Sequence, residues 1–360
     1  STLFPYTTLF RSALALARVF TGWSWNGGRL THECFFRAGY CAQNTNERET
    51  RPMVAYDQYH STLEKRFLGT TIAEGQSRTT ADLKVALDTL FNHPNVGPFI
   101  GRQLIQRLVT SNPSPAYVRR VASAFNNNGQ GVRGDMKAVI RAVLLDEEAR
   151  GDNARKQPSF GRIREPALRF THLMRALEAS SRTGYWGIGR TDVPGNLNQT
   201  AMRAPSVFNF YRPGYSPAGT PVARAGLVAP EMQITQESSV AGYADYLDRF
   251  VGGTSIYIVG LGDMIPHSDG ERHSGGQARE IKFNLEPLIT KAKDVNQLLD
   301  EINVLFLNGQ MQSDTRTIIH RAVSEAVPKR NNDDMRRVYR ERVSLALYLA
   351  LLSTDYLVLK

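Results

Sequence analysis

His267, Asp269, Glu271 and His273 alternate through HSDGERH, so an extended backbone would put all four on one side as imidazole and carboxylate ligands for a divalent metal. Gly270 and the Ser-Gly-Gly that follows oppose a strand, and the competing reading is a solvated loop. His32, Cys34, Cys41 and His60 offer a second set, since imidazole and thiolate are the preferred ligands of zinc. Their spacing lacks a close Cys-x-x-Cys pair. Cys34 and Cys41 serve equally as a small disulfide in an exported protein or as thiols in a reducing compartment. No metal or other cofactor is therefore predicted.

His60, with Glu64 and Lys65, is the candidate for catalysis. A histidine titrates near neutrality, and a lysine can hold a phosphate, sulfate or carboxylate. The alternative is a turn held by side-chain hydrogen bonds. His93, followed directly by Pro94, reads as a helix-start residue. Between Ala204 and Pro217, Phe208, Phe210, Tyr211 and Tyr215 accompany Arg203, Asn209 and Arg212. Aromatic faces flanked by amide and guanidinium groups suit a carbohydrate or polymer surface, and suit equally a loop pinned onto helices by its aromatics. Lys65, Arg203, Asn209, Phe210 and Tyr211 are thus the binding candidates. Val259-Gly260-Leu261-Gly262-Asp263 lacks the third glycine and following helix of a dinucleotide site, and no Gly-x-Ser-x-Gly elbow, phosphate loop or His-Glu-x-x-His helix is present.

The elements that must position these groups are mainly helical. Ala13–Phe20 reads as the tail of a helix ended by Thr21-Gly22. From 26 to 79 the chain is rich in Gly, Asn, Thr and Arg, an irregular insertion. Helical spacing then returns in four stretches. Thr79–Phe91 opens with Thr79-x-x-Asp82, resembling a capping box. The helix after Pro94 carries Val96, Phe99, Ile100, Leu104 and Leu108 on one face. Pro115–Phe125 and the stretch from Gly134 to about Glu148 follow. A helix from Pro166 to about Ser180 precedes a loop-rich insertion at 184–229. Pro230–Phe250 is helical, short strands are expected near 254–285, and helices near Val295–Leu307, Asp314–Ala326 and Asp334–Leu352 close the chain. The fold class predicted is a mainly α, multi-helix globular domain with long irregular loops and a minor β element. Residues 13–150 and 151–360 form two helical regions or one continuous domain.

At 360 residues, with 41% hydrophobic and 22% charged residues, the composition excludes collagen, low-complexity disorder and a disulfide-stapled miniprotein. The longest apolar candidate, Val343–Leu352, falls short of the roughly 18–20 residues that cross a bilayer, so no membrane span is expected. Lys and Arg exceed Asp and Glu by 10. That surplus would attract an anionic polymer, but it is dispersed, and its densest stretch, Lys329–Arg342, is interrupted by acids. No nucleic acid is expected as a partner.

Several runs together carry a resemblance: ARVFTGW from Ala17, YHSTLEKRFLG from Tyr59, LDTLFNHPNVGPFIGRQLIQRLVTSNPSPAYVRRVASAF from Leu87, GDMKAVIRAVLLDEEAR from Gly134 and APSVFNFYRPGYSP from Ala204. In this order they resemble the bacterial family called domain of unknown function 1800, over nearly all of 13–360. The resemblance implies a largely helical, exported protein of the periplasm or cell envelope whose gene neighbours one for an exported sulfatase-like protein, a possible partner. It supplies no catalytic residues. Many relatives have His-Asp where this chain has His60-Ser61, which leaves that histidine without an adjacent carboxylate.

Thr2–Ser12, TLFPYTTLFRS, has no signal-peptide or tag pattern and matches one translated frame of a common sequencing adapter. Residues 1–12 are accordingly expected to be non-native, and the chain a truncated fragment. The function expected is that of a noncatalytic accessory or binding protein of the envelope. The alternatives are a hydrolase acting on an envelope or extracellular polymer through His60 and the aromatic loop, and anionic-polymer binding through the basic surface.

Overall fold

The computed structural model describes residues 4–26, 29–36, 50–181, 184, 186, 188–207, 209–251, 281–325 and 335–360, with backbone only over 4–10 and at 155. The chain divides into two compact units, residues 1–99 and 100–360. Helices make up most of both, and the strands are paired short segments of two or three residues. The protein is mainly α with a minor β element.

In the first unit, α1 (Phe4–Val19) packs on the hairpin β3–β4 (Lys65–Phe67 and Thr70–Ile72) and on α3 (Thr79–Asn92). α1 extends upstream of the Ala13–Phe20 stretch expected to be helical, as far as Phe4. Ala15, Val19, Phe67 and Ala86 form its small apolar core. The turn after α1 depends on Gly22, whose φ of +82° suits glycine, and a Cβ there would lie 3.0 Å from the Tyr56 carbonyl oxygen and 3.1 Å from His60 Cβ. This close approach lets Tyr56 N donate to Gly22 O at 2.7 Å and lets β1 (Trp23–Ser24) pair antiparallel with β2 (Val54–Ala55). The irregular stretch is thereby stitched to the end of α1. α2 (His32–Phe36) adds Phe35 and Phe36 to a ring cluster with Tyr56 and Tyr59, Phe35 and Tyr59 being stacked at 4.3 Å.

α3 starts where expected, but its cap is different. Arg78 occupies the cap position, and Asp57, from a 3-10 turn (Asp57–Tyr59), accepts from Thr79 N at 2.9 Å and Thr79 Oγ1 at 2.7 Å. Thr79 is buried, so its hydroxyl donates inward instead of capping its own helix. A carboxylate distant in sequence satisfies this helix-start amide, which has no partner within its own helix, and short-range reading cannot see it.

α4 (Val96–Leu108) exposes Phe99 and Leu108, two of the residues expected on its inner face. Gly97, Gly101, Ile105 and Gln106 are buried instead. The reason is close packing within the second unit: a Cβ on Gly101 would lie 3.0 Å from Val121 Cγ1 of α5 (Pro115–Asn126), and only a glycine admits that approach. Gln106 is buried because its amide donates to Ser111 O at 2.9 Å and Pro213 O at 3.0 Å. α5 packs on α6 (Met136–Leu145), capped by Ser114 and Asp135 respectively.

The main core of the second unit surrounds the last long helix. α7 (Pro166–Ala176), α8 (Glu237–Val251), α9 (Glu286–Lys291), α10 (Val295–Leu307), α11 (Ser313–Ser324) and α12 (Met335–Leu352) bury Phe170, Leu247, Leu298, Ile302, Phe306 and Leu347 among others. Each such side chain contributes about 1.5–3 kcal/mol of burial. α7 ends at Ala176, short of the expected Ser180, because Ser180–Ser181 pairs as β6 with β7 (Ile281–Lys282). Of the strands expected near 254–285, 252–280 lie outside the described residues, and the remainder forms only β7 before α9 begins. β5 (Arg162–Ile163) pairs with β8 (Val358–Leu359), tying the loop before α7 to the end of the chain.

Candidate functional site

His60 and Lys65 meet in the first unit, and the group that joins them is Asp82 of α3. One oxygen, Asp82 Oδ2, lies 2.9 Å from His60 Nε2 and 2.8 Å from Lys65 Nζ. The carboxylate missing beside His60 in the sequence is thus supplied from α3, one turn into the helix. Lys65 also donates to Ser61 O at 2.6 Å, Ser77 Oγ at 2.7 Å and Leu63 O at 3.4 Å. His60 Nδ1 faces Thr21 O at 2.8 Å, and Thr21 Oγ1 accepts from Ser61 N and donates to Arg18 O. The side chains of His60, Asp82 and Lys65 are 1%, 3% and 0% exposed. Burial pushes the Asp82 carboxyl up, but hydrogen bonds from His60 and Lys65, the Arg78 amide and the attraction of the ammonium together hold it below its ordinary value. Asp57 is held low as well, first by the hydrogen bonds of Thr79. Glu64, named with His60 from sequence, faces away, pairing with Arg66 at the surface at 2.8 Å.

The residues of the 204–217 loop separate. Tyr211 is buried, and its hydroxyl donates to Glu165 Oε1 at 2.7 Å. Gln199 Nε2 donates to the other oxygen of Glu165, and the Arg107 guanidinium carbon sits 4.1 Å above the Tyr211 ring. Arg203 and Asn209 remain outside: Arg203 is 72% exposed with Asp192 at 3.7 Å, and Asn209 turns the chain at φ +68°. Phe210 is half-buried, and Phe208 lies outside the described residues. Tyr211 thus fastens the loop within the second unit, while Arg203 and Asn209 face solvent.

Beside Tyr211 lie groups that the sequence did not single out. Arg162 and Arg164 share one face of the extended segment at β5, and Glu231 sits in a 3-10 turn (Pro230–Ile234) packed against it. Glu231 is 1% exposed, with Ser111 Oγ 3.4 Å from Oε2 and no partner for Oε1. Burial raises its carboxyl above the ordinary glutamate value, opposed by Arg162. Arg162 is pulled down, mainly by burial, and its Nη1 has no partner. Arg164 stacks on the Tyr356 ring at 4.2 Å and bonds to the ring nitrogen of His172, whose own basicity is lowered by burial and by Arg164 itself. An alternation of arginines before Glu165-Pro166 was the available signal in the sequence.

Among the described residues no group of three or more His, Cys, Asp or Glu side chains is arranged to hold a metal. His267, Asp269, Glu271 and His273 lie outside the described residues, as does Cys41. Cys34 is disulfide-bonded and is no thiolate ligand, His60 is committed to Asp82, and His32 Nδ1 bonds to the Tyr59 hydroxyl at 2.9 Å, so these three do not form the zinc set considered from sequence.

A family model described as "Protein of unknown function (DUF1800)" matches residues 14–358. The chain belongs to the DUF1800 family. No curated protein and no solved structure matches it. In this DUF1800 chain both buried polar groups, the one around Asp82 and the one around Glu165, lie within the matched residues.

Proposed function

We propose that the protein is a noncatalytic binding protein of the bacterial cell envelope that acts with an exported sulfatase-like partner. The observation that carries this reading is the closure of the His60–Asp82–Lys65 group. A general acid or base must present its atom within hydrogen-bond reach of a substrate. Here both ring nitrogens of His60 face protein acceptors, and Lys65 is spent on a carboxylate, two carbonyls and a hydroxyl. The group acts as a brace between the turn after α1, the hairpin β3–β4 and α3. The disulfide at Cys34 supports export, since such bonds persist in oxidising compartments. The partnership itself is the expectation raised by the family resemblance. No helix among the described residues is long and apolar enough to cross a membrane.

The test is recovery of the tagged full-length protein from envelope extracts of its native host. Co-purification of the sulfatase-like protein in stoichiometric amount is the expected result. Recovery without it, at any salt concentration that preserves the fold, overturns the partnership.

A further inference from the structure

We propose that His172 and Arg164 form an acid-sensitive latch, in which protonation of the His172 ring expels the Arg164 guanidinium and frees the segment 354–359 from β5. The latch is independent of the binding reading and of the partner.

The segment 354–359 is clipped to β5 at short range. Ser353 caps a short turn (Thr354–Leu357), after which β8 pairs with β5. Arg164 N donates to Leu357 O at 2.8 Å, and Gly161 admits the strand closely, since a Cβ there would lie 2.6 Å from Leu359 O. Tyr356 anchors the clip. It is fully buried, and its hydroxyl donates to Arg169 O at 2.7 Å. Its ring meets the Arg164 guanidinium carbon at 4.2 Å and stacks on the His172 ring at 5.8 Å.

The contact that closes this clip has one workable protonation state. Arg164 Nη1 lies 2.5 Å from His172 Nδ1. A guanidinium carries donors only, so Nδ1 is the unprotonated nitrogen and the neutral ring holds its proton on Nε2. The ring also bonds to the Leu305 backbone, in the last turn of α10, where carbonyls lack partners within the helix. A proton added to Nδ1 would turn the acceptor that Arg164 needs into a donor and set two positive groups against each other. His172 is half-buried, so it stands where solvent protons reach.

Among the described residues no carboxylate faces the ring to hold that charge. Arg169 and Arg175 lie one turn to either side on α7, α10 offers Leu305 and Phe306, and the 354–357 turn offers Tyr356. Asp355 is turned instead to the Gln312 amide, at 2.8 Å. Burial first, then Arg164 and Arg175, lower the basicity of His172. The latched form therefore binds fewer protons than the open one. Its stability is complete above the ordinary histidine value of about 6.5 and falls about tenfold per pH unit below it, until the lowered value of the latched form is reached. Glu231, in the 3-10 turn against β5, is shifted the other way and adds stability as pH falls.

Hydrogen exchange of the full chain, resolved to single amides, tests the latch. The Arg164 amide should be at least about tenfold less protected than that of Ile302, inside α10, because it exchanges by local opening. Its protection factor should fall about tenfold between about pH 7.5 and 5.5. His172→Asn places an amide oxygen where Nδ1 stands and takes up no proton, so this fall should vanish, leaving no slope but that of Glu231. Should the variant have lost Arg164 protection already at the higher pH, the imidazole nitrogen signals of the unaltered chain decide. There, loss of the neutral His172 signal should track loss of Arg164 protection. Constant protection in the unaltered chain, Arg164 protection equal to that of Ile302, the same fall in a latched His172→Asn, or a protonated His172 beside a protected Arg164 overturns the latch.

Discussion

Replacing Asp82 by Asn removes the charge that balances a lysine with no exposed side-chain surface. The two charges are 2.8 Å apart, worth about 6 kcal/mol at an effective dielectric of about 20. Lys65 keeps its contacts to Ser61 O, Ser77 Oγ and Leu63 O, and the Asn oxygen still accepts from His60, which offsets part of the loss. Breaking one side of a buried pair costs about 3–5 kcal/mol, and that is the expected destabilisation of the first unit. The sequence has three tryptophans, at 23, 25 and 186, so in a Trp186→Phe background the fluorescence reports on the first unit alone. With a slope of about 2 kcal/mol per molar urea, the midpoint should fall by about 1.5–2.5 M. The double variant Lys65→Met with Asp82→Asn removes both charges and should recover at least about 1 kcal/mol relative to Asp82→Asn alone. A loss under about 1 kcal/mol in the single variant, or a double variant as unstable as the sum of the two singles, refutes the brace.

Three further outcomes follow from the structure. Asp82 and Asp57 are held below their ordinary carboxyl values, so the stability they contribute is present above the unfolded value and is lost as pH falls through the lowered folded ones. Glu231 is raised, so the second unit should lose stability as pH rises from the ordinary glutamate value through the folded one, a slope that Glu231→Gln abolishes. Urea midpoints against pH for each unit and each variant check both signs. Gly22→Ala forces a side chain into a φ of +82° and against Tyr56 O and His60, and should cost about 1–3 kcal/mol in the same fluorescence assay.

The long helices were legible because their periodicity is self-contained. Val295–Leu307 is read to the residue, and Met335–Leu352 differs from the expectation by one position at its start. What was not legible depended on close approach or on distant partners. The buried face of α4 turns on Gly101 meeting Val121, where the absence of a side chain decides the packing, and hydrophobic spacing assigns glycine no direction. Asp82 looks in sequence like an ordinary acidic residue in a first helical turn, and only the fold brings it to a histidine 22 positions earlier. Glu231 is hidden in the same way, since a lone glutamate after a proline carries no local sign of burial, and Arg162 is marked only by its alternation with Arg164. His60 stood out in the sequence as a candidate for catalysis and Lys65 and Tyr211 as candidates for binding; the structure buries all three among polar partners, while Arg203 and Asn209, near Tyr211 in the chain, face solvent.

His60, Asp82 and Lys65 are sealed within the first unit and serve as a brace. Reductive methylation of the folded chain, followed by mass-spectrometric mapping, measures this directly. Lys84, on the same helix as Asp82, is 75% exposed, paired only with Asp88 at the surface, and supplies an internal standard for a solvent-exposed amine. Lys65 should remain unmodified while Lys84 reacts to completion, and should react only after urea unfolds the first unit. Modification of Lys65 at the rate of Lys84 in the folded protein would show the group open to solvent and to substrate, contradicting the brace and the noncatalytic reading that rests on it.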